Sequence, residues 1–305
     1  MAIGNFDGVH RGHQAVISQA LRLARAASLA PLVLTFEPHP AVVLGRGALP
    51  ALTSLERKLE LICRQSPALT VVVEPFTPEL AKTEAADFAQ QLLAEALSAK
   101  LVLVGQNFRF GRGRAGDFAL LERLGAEQGF AAHATALECD AAGPISSTRV
   151  RAALEQGDLP AVEALLGRPH ALTGVVVPGQ GRGRTIGVPT ANLSGFVEAL
   201  PPHGVYAVLV DRKQGEAFQA LGAGVANFGV RPTLDAGPSF EAHVFDKSVD
   251  LYGQELRVHL LGRLREERKF LGVDELVAQI ARDIQAARSL TASRLPDPSA
   301  LGAWY

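Results

Sequence analysis

Short apolar runs alternate with stretches of helical period through the first half of the chain. Residues 31–36, 69–73 and 101–104 are leucine-rich or β-branched with scarcely a polar break. Runs of that kind suit strands buried on both faces, the environment of a parallel sheet. Between them the apolar positions recur every three or four residues. Ile17, Leu21 and Ala24 form one stripe, and Phe88, Leu92, Leu93, Ala96 and Leu97 form another. TSLE at residues 53–56 reads as a capping box, with Thr53 and Glu56 satisfying each other's main-chain amides. Strand–helix alternation predicts a doubly wound α/β domain, whose ligands sit beyond the carboxyl ends of the strands. Only Met1, Ala2 and Ile3 precede the loop that opens at Gly4, so the first strand is expected to be short.

A short helical stretch follows Arg151 and runs through Leu165 and Leu166, and GRPH at 167–170 then breaks the pattern. The division is placed there, giving an N-terminal domain of residues 1–168 and a C-terminal domain of residues 169–289. Beyond it the period changes. Residues 172–177, 205–210, 218–227, 240–245 and 256–261 are strand-like, with Gly, Pro and Asp between them and no long helical pattern. That spacing predicts an antiparallel sheet or small barrel. One amphipathic helix over 273–288, with Leu276, Ile280 and Ile284 in a stripe, closes it. The Pro- and Ala-rich tail, 290–305, is expected to be loosely held.

Composition narrows the function classes. The 305 residues are 48% hydrophobic and 20% charged, ordinary for a globular protein able to bury a core in each half. The net charge is −1, so no basic field exists to hold a nucleic-acid backbone, and no nucleic-acid partner is expected. Cys63 and Cys139 fit neither a metal spacing nor a disulfide framework and read as buried or inert thiols in a reducing cytosol. The start shows no basic-then-apolar leader, and the apolar runs fall far short of the ~20 residues a spanning helix needs. The expected setting is cytoplasmic, without a membrane partner; self-association is left open.

The first candidate site is GVHRGH at 8–13, where a strand remnant meets a helix. His10 and His13 are three apart, so both rings can face one point, and Gly12 lets the backbone approach what sits there. The helix N-terminus adds amides and partial positive charge, which together suit a phosphate whose charge grows during transfer. Capping or surface histidines are the plain alternative. GQNFRFG at 105–111 follows a strand, at the ligand end of the sheet. Its arginine could touch phosphates or stack on rings. ISSTRVR at 145–151 opens a helix with hydroxyls and ends on Arg151, a pattern that by itself fits an N-cap with a surface arginine.

The second candidate site begins with GQGRGRTIG at 179–187. Four glycines expose amides that could wrap phosphates, although the loop is no Walker A sequence and alone also fits a plain turn. PTAN follows, with Thr190 and Asn192 two apart and so on one face of an extended segment. Two neutral oxygens there could ligate a Mg²⁺ that already carries nucleotide phosphates, or could simply cap a turn. Phosphoryl transfer to an alcohol also wants a base, and Glu241, sharing a strand face with His243 and Phe245, is the candidate.

These motifs carry a resemblance. GNFDGVHRGH at 4–13, TFEPHP at 35–40, NFRFG at 107–111 and ISSTRVR at 145–151 resemble, in order, the FMN adenylyltransferase module of the bacterial bifunctional riboflavin kinase/FAD synthetase family. GRTIGVPTANL at 183–193, NFGVRPT at 227–233, EAHVFD at 241–246, DLYG at 250–253 and LREERKF at 264–270 are similar to its riboflavin kinase module. Phe228 stands where a smaller aliphatic residue is more usual. The resemblance implies a nucleotidylyltransferase domain followed by a six-stranded barrel, together converting riboflavin to FMN and FMN to FAD with ATP. It implies His10, His13 and Arg151 as the charge-stabilising set for adenylylation, with Gly4, Asn5, Gly12, Ser147 and Thr148 at the nucleotide and Asn107 and Arg109 at the flavin. In the barrel it implies Glu241 as base, Thr190 and Asn192 at Mg²⁺, Gly179, Gly181, Gly183 and Arg184 at the nucleotide, and Arg231 and Arg265 at the flavin. A riboflavin kinase with an impaired adenylyltransferase half is the alternative that the short first strand raises. A flavin carrier and an RNA binder resting on Arg109, Arg112 and Arg114 are the readings from other classes.

Overall fold

The computed structural model describes residues 1–45, 47, 49–179, 183, 186–230, 238–247 and 249–294. The chain divides into two compact units, residues 1–147 and 148–305. Of the residues singled out in the sequence, Gly181, Arg184, Arg231 and positions 295–305 of the tail lie outside the described residues.

The first unit is built on five parallel strands in the order β3-β2-β1-β4-β5. They are β1 (Ala2–Ile3), β2 (Leu32–Glu37), β3 (Thr70–Pro75), β4 (Leu101–Gly105) and β5 (Ala131–Thr135). The helices are α1 (Arg11–Ala26), α2 (Pro40–Val43), α3 (Leu55–Cys63), α4 (Ala85–Asp87), which continues as a π-helix over Phe88–Ala96, and α5 (Phe118–Gln128). Helices cover both faces. Ile17 and Ala20 of α1 and Leu61 and Ile62 of α3 pack on Val33 and Leu103. Phe88, Ala89, Leu93, Leu121 and Leu124 pack with Leu34, Val102 and Val104. Each fully buried side chain of this size stabilises the fold by roughly 1.5–3 kcal/mol, which explains why these strands read as unbroken apolar runs. β5 escaped the sequence reading because AAHAT is an edge strand with alternating exposure rather than a continuous run.

The first strand is short, as expected, yet it sits at the centre of the sheet. Ala2 and Ile3 pair with Val33 and Leu34 on one side, and Ala2 pairs with Leu103 on the other. The ladder extends past its ends, through Leu103 N–H to Met1 O (2.8 Å) and Gly4 N–H to Leu34 O (3.1 Å). The capping box is corrected. Ser54 is the N-cap of α3, accepting from Arg57 N–H at 3.2 Å, because the buried Thr53 hydroxyl is taken by Gly8 N–H, also at 3.2 Å. Both cysteines are free and exposed, so of the buried or inert reading the buried option falls.

A hairpin of β6 (Cys139–Asp140) and β7 (Gly143–Pro144) precedes α6 (Ser147–Glu155) and α7 (Leu159–Leu166), and α7 ends on Gly167 in the left-handed region (φ 74°). The second unit is a closed six-stranded barrel in the order β10-β11-β12-β9-β8-β13, each neighbouring pair antiparallel. Its strands are β8 (His170–Val177), β9 (Ala191–Ser194), β10 (Gly204–Gln214), β11 (Ala217–Val230), β12 (Pro238–Val244) and β13 (Glu255–Arg265). The helix α8 (Val273–Thr291) runs three residues beyond the predicted end and lies on β10, β11 and β13. A turn over Ala292–Arg294 follows, and Arg294 pairs with Glu163 of α7, so the described start of the tail is held rather than loose. β10 is buried on both faces because alternate residues turn two ways. Val205, Ala207 and Leu209 pack under Ala287 and Ile284 of α8, while Tyr206, Val208 and Val210 fill the opposite side. β9 was missed because four residues give too little period to read.

One ionisable pair lies inside this unit. His259 Nε2 of β13 is 3.0 Å from Asp211 Oδ2 of β10, and both side chains are buried. Asp211→Ala strands the histidine in a site built around a carboxylate, and the expected cost is about 3 kcal/mol, read from urea unfolding. A loss under about 1 kcal/mol would show that the pair does not hold the two strands together.

Candidate active sites

In the first unit the loop from Gly4 to His10 is shaped by partners distant in sequence. Thr35 Oγ1 donates to Asn5 O at 3.1 Å, and Ser147 Oγ donates to Asp7 O at 2.9 Å. Asp7 is itself buried, and its Oδ1 accepts from Leu52 N–H (2.9 Å) and Thr53 N–H (3.4 Å). Phe6, Gly8 and Val9 all take positive φ, so the loop turns sharply and delivers His10 to the start of α1. There His10 is the N-cap: its Nδ1 accepts from His13 N–H at 3.3 Å. In a neutral ring this leaves the proton on Nε2, a donor. The two imidazoles stack, with centroids 3.6 Å apart and planes 19° from parallel. Gly12 packs tightly here: a Cβ would stand 3.1 Å from the His10 ring and 3.3 Å from Ile145 O, so the ring would have to give by a few tenths of an ångström.

Beside this loop, at the carboxyl ends of β1 and β4, lies a cleft of about 430 Å³. Its walls include Gly4, Asn5, Phe36, Asn107, Phe108 and Arg109. Residues read separately as nucleotide and flavin contacts thus share one cleft, at the place where strand order reverses. Phe108 and Phe110 stack with centroids 5.6 Å apart, offering aromatic surface. Arg109 pairs with Asp117 at 3.4 Å, an exposed contact that a stronger anion could displace. His10 and His13 are outside the lining of this cleft. Thr148 and Arg151 lie on α6 past the last residue of the first unit, Thr148 exposed and Arg151 partly buried.

In the second unit three strands bring the polar residues together. Glu241 of β12 is in register with Asn192 of β9 and with Asn227 of β11. The Glu241 carboxylate accepts from Thr190 Oγ1 through Oε2 (3.3 Å) and from Ser239 Oγ through Oε1 (3.2 Å). Donating that proton leaves the Thr190 lone pairs for another partner. Gly179 lies so close to the Asn192 amide that a Cβ would overlap it, and a Cβ on Gly183 would meet Val188 O and Thr190 Oγ1. The glycines called as a phosphate loop therefore press on the two residues called as metal ligands. A cleft of about 600 Å³ opens alongside, lined by Thr190, Ala191, Ala242, Val244, Asp250 and Tyr252 among others. Arg265 ends β13 and forms a two-pronged pair with Asp283 of α8, the shortest contact 2.8 Å. Beyond β12, Arg288 of α8 grips Asp246 through two hydrogen bonds (2.8 and 2.9 Å), which hold the Asp246 carboxyl below the usual carboxylate range. Among the described residues no group of three or more His, Cys, Asp or Glu side chains could hold a metal ion.

A parallel sheet with paired histidines at a helix start, followed by a barrel with a hydroxyl, an amide and a carboxylate close together, suits a nucleotide-dependent transferase with two chemistries. Family comparison gives the same division: a FAD synthetase profile matches residues 1–149 and a riboflavin kinase profile matches residues 166–291. The chain is 43% identical to the bifunctional riboflavin kinase/FMN adenylyltransferase of Escherichia coli K12, over 94% of this chain and 91% of that one. The Bacillus subtilis protein of the same name is 36% identical, over 94% and 90%. A solved Streptococcus pneumoniae structure described as a macrolide-efflux protein superposes with a TM-score of 0.82 at 30% identity, over 94% of this chain and 93% of that one. Its efflux description stays with that protein; no helix among the described residues here is long and apolar enough to cross a membrane. The chain belongs to the bifunctional riboflavin kinase/FMN adenylyltransferase family. Both halves match, and nothing in these matches favours the kinase-only alternative.

Sequence reasoning missed Asp7, Ser239 and His243. Asp7 and His243 stand inside quoted motifs, and what hid them is that their contacts are to main-chain atoms of other segments. Gly12→Ala forces the His10 ring aside, and FAD formation from supplied FMN is expected to fall roughly tenfold or more, while FMN formation stays within about twofold. An unchanged rate of FAD formation would remove His10 from the adenylylation site.

Proposed function

We propose that the barrel carries ATP-dependent phosphorylation of riboflavin to FMN, and that the parallel-sheet half carries adenylylation of FMN to FAD with release of pyrophosphate. The observation that carries this reading is the meeting of Glu241 of β12 with Asn192 of β9, its register partner, and with Thr190 just before β9, whose hydroxyl donates to it. Glu241 takes the proton from the terminal ribityl hydroxyl as that oxygen attacks the γ-phosphorus of ATP, the bond from that phosphorus to the β–γ bridging oxygen breaks and ADP leaves. Thr190 Oγ1 and Asn192 Oδ1 would hold Mg²⁺ that arrives with the nucleotide. The donor set fits, being neutral oxygens beside a closely approaching glycine backbone. When bound, the ion supplies charge neutralisation on the phosphates. Gly179 and Gly183 let the main chain approach those phosphates, and Arg182 and Arg184 add positive charge.

In the other half the FMN phosphate attacks the α-phosphorus of a second ATP. A phosphate is ionised at neutral pH, so this step needs charge stabilisation more than a base. The His10 and His13 donors, with Arg151, fill that role; Gly4, Asn5, Ser147 and Thr148 contact the nucleotide. The flavin lies along Asn107 and Arg109 in the 430 Å³ cleft, and Arg231 and Arg265 serve it in the barrel. The domain division is set at 168/169, between α7 and β8; the compact units divide earlier, at 147/148, so α6 and α7 fall with the barrel in that division. With ATP as co-substrate, the working compartment is the cytoplasm.

Purified protein given riboflavin, ATP and Mg²⁺ is expected to form FMN first and FAD later, resolved by chromatography. Glu241→Gln is expected to abolish FMN formation but keep FAD formation from supplied FMN, and His13→Ala to do the reverse. Loss of both activities in both folded variants would refute separate sites. Asn192→Ala is expected to raise the Mg²⁺ concentration needed for half-maximal FMN formation by roughly tenfold. An unchanged Mg²⁺ requirement would remove Asn192 from the ion's shell.

A further inference from the structure

β12 carries three polar side chains at alternate positions: Ser239, Glu241 and His243. Alternate residues of a strand share a face, so the three stand in one row. Each end of the row makes a contact that serves the middle. At one end the Ser239 hydroxyl, on a buried residue, is given to Glu241 Oε1 at 3.2 Å. At the other end His243 Nδ1 is 2.8 Å from Pro189 O. A carbonyl only accepts, so that nitrogen carries a proton.

The His243 contact falls where the ladder between β9 and β12 stops. Glu241 pairs with Asn192 and Ala242 with Ala191, so the next step would set His243 against Thr190, but β9 begins at Ala191. Pro189 has no N–H, so its carbonyl is the main-chain handle it offers. The imidazole takes that handle in place of the missing ladder bond and holds the residue next to Thr190. Thr190 in turn reaches Glu241 Oε2 at 3.3 Å. The result is a chain of contacts, His243 to Pro189, Thr190 to Glu241, Glu241 to Ser239, in which the carboxylate is gripped at both oxygens.

We infer that Ser239 and His243 are positioning residues for phosphoryl transfer: Ser239 sets the rotamer of the Glu241 carboxylate, and His243 fixes the Pro189–Thr190 segment against it. A glutamate has three side-chain torsions to lose, and pre-setting them places the base where the acceptor hydroxyl must come. The inference rests on Glu241 as the base.

The test measures FMN formation by the full chain with riboflavin and Mg²⁺-ATP, taking kcat and KM separately, with FAD formation from supplied FMN and the unfolding midpoint as checks of folding. Ser239→Ala is expected to lower kcat roughly tenfold with both KM values within about twofold, the size expected for a hydrogen bond to a charged group that matters in the transition state. Ser239→Thr, which keeps the hydroxyl, restores most of it. His243→Ala is expected to lower kcat and raise the KM for Mg²⁺-ATP, each by roughly threefold to tenfold, because Thr190 moves. His243→Asn, whose amide N–H can reach the same carbonyl, restores both. Full kcat in Ser239→Ala and His243→Ala, beside an inactive Glu241→Gln, overturns the inference and leaves the base reading standing. Equal losses in Ser239→Ala and Ser239→Thr reduce Ser239 to packing and overturn its part. An active Glu241→Gln overturns the base reading and the inference with it.

Discussion

Asp7 is a buried carboxylate, and among its contacts are two main-chain amides, Leu52 N–H and Thr53 N–H, more than forty residues along the chain. A buried carboxylate without donors is costly, so the loop and the segment before α3 must stay together. The backbone between Phe6 and Val9 runs through positive φ, and contacts to Thr35, Thr53 and Ser147 hold that path in place. The direction in which His10 enters α1 follows from it, and so does the stacking of His10 on His13. The position of the paired histidines therefore follows in part from how Asp7 holds the loop that leads into them.

The barrel solves a related problem with a different device. Closing the sheet brings β9, β11 and β12 side by side, and register sets Asn192, Glu241 and Asn227 in one cross-strand row. The hydroxyls of Thr190 and Ser239 then occupy both oxygens of Glu241. The helix α8 stabilises this arrangement from outside, through apolar packing on β10 and through two arginine–carboxylate pairs, Arg265 with Asp283 and Arg288 with Asp246. Arg265 is thus spent in part on the fold, and its service to flavin would have to coexist with that pair.

Buried polar groups lie at both the candidate sites and the scaffold of each half. In the sheet, Asp7, His10, Thr35 and Thr53 are buried around the loop from Gly4 to His10, and Arg57 and Lys58 of α3 are buried as well. In the barrel, Asn192 and Ser239 are buried on the strands that flank or carry Glu241, and Asp211 and His259 are buried between β10 and β13, where they join strands of high sequence separation.

The sequence determined the two architectures, because continuous apolar runs with helical stripes have few solutions other than a covered parallel sheet, and evenly spaced short strands few other than a small barrel. It also carried the motifs, although glycines, paired histidines and a PTAN segment each fit a plain structural role when taken singly, and it is their order along the chain that carries the resemblance to a family. It misread the capping of α3, left open whether Cys63 and Cys139 are buried, and passed over the edge strand β5 and the four residues of β9. Only the tertiary structure decided that Thr53 serves a loop rather than its own helix, that Gly4, Asn5, Asn107 and Arg109 share a cleft, and that Ser239 and Thr190 grip the same carboxylate. The physical reason is common to these cases. Local period and propensity report on neighbours within a turn or a strand, whereas a hydrogen bond between residues 45 or 140 positions apart exists only once the core has brought them together.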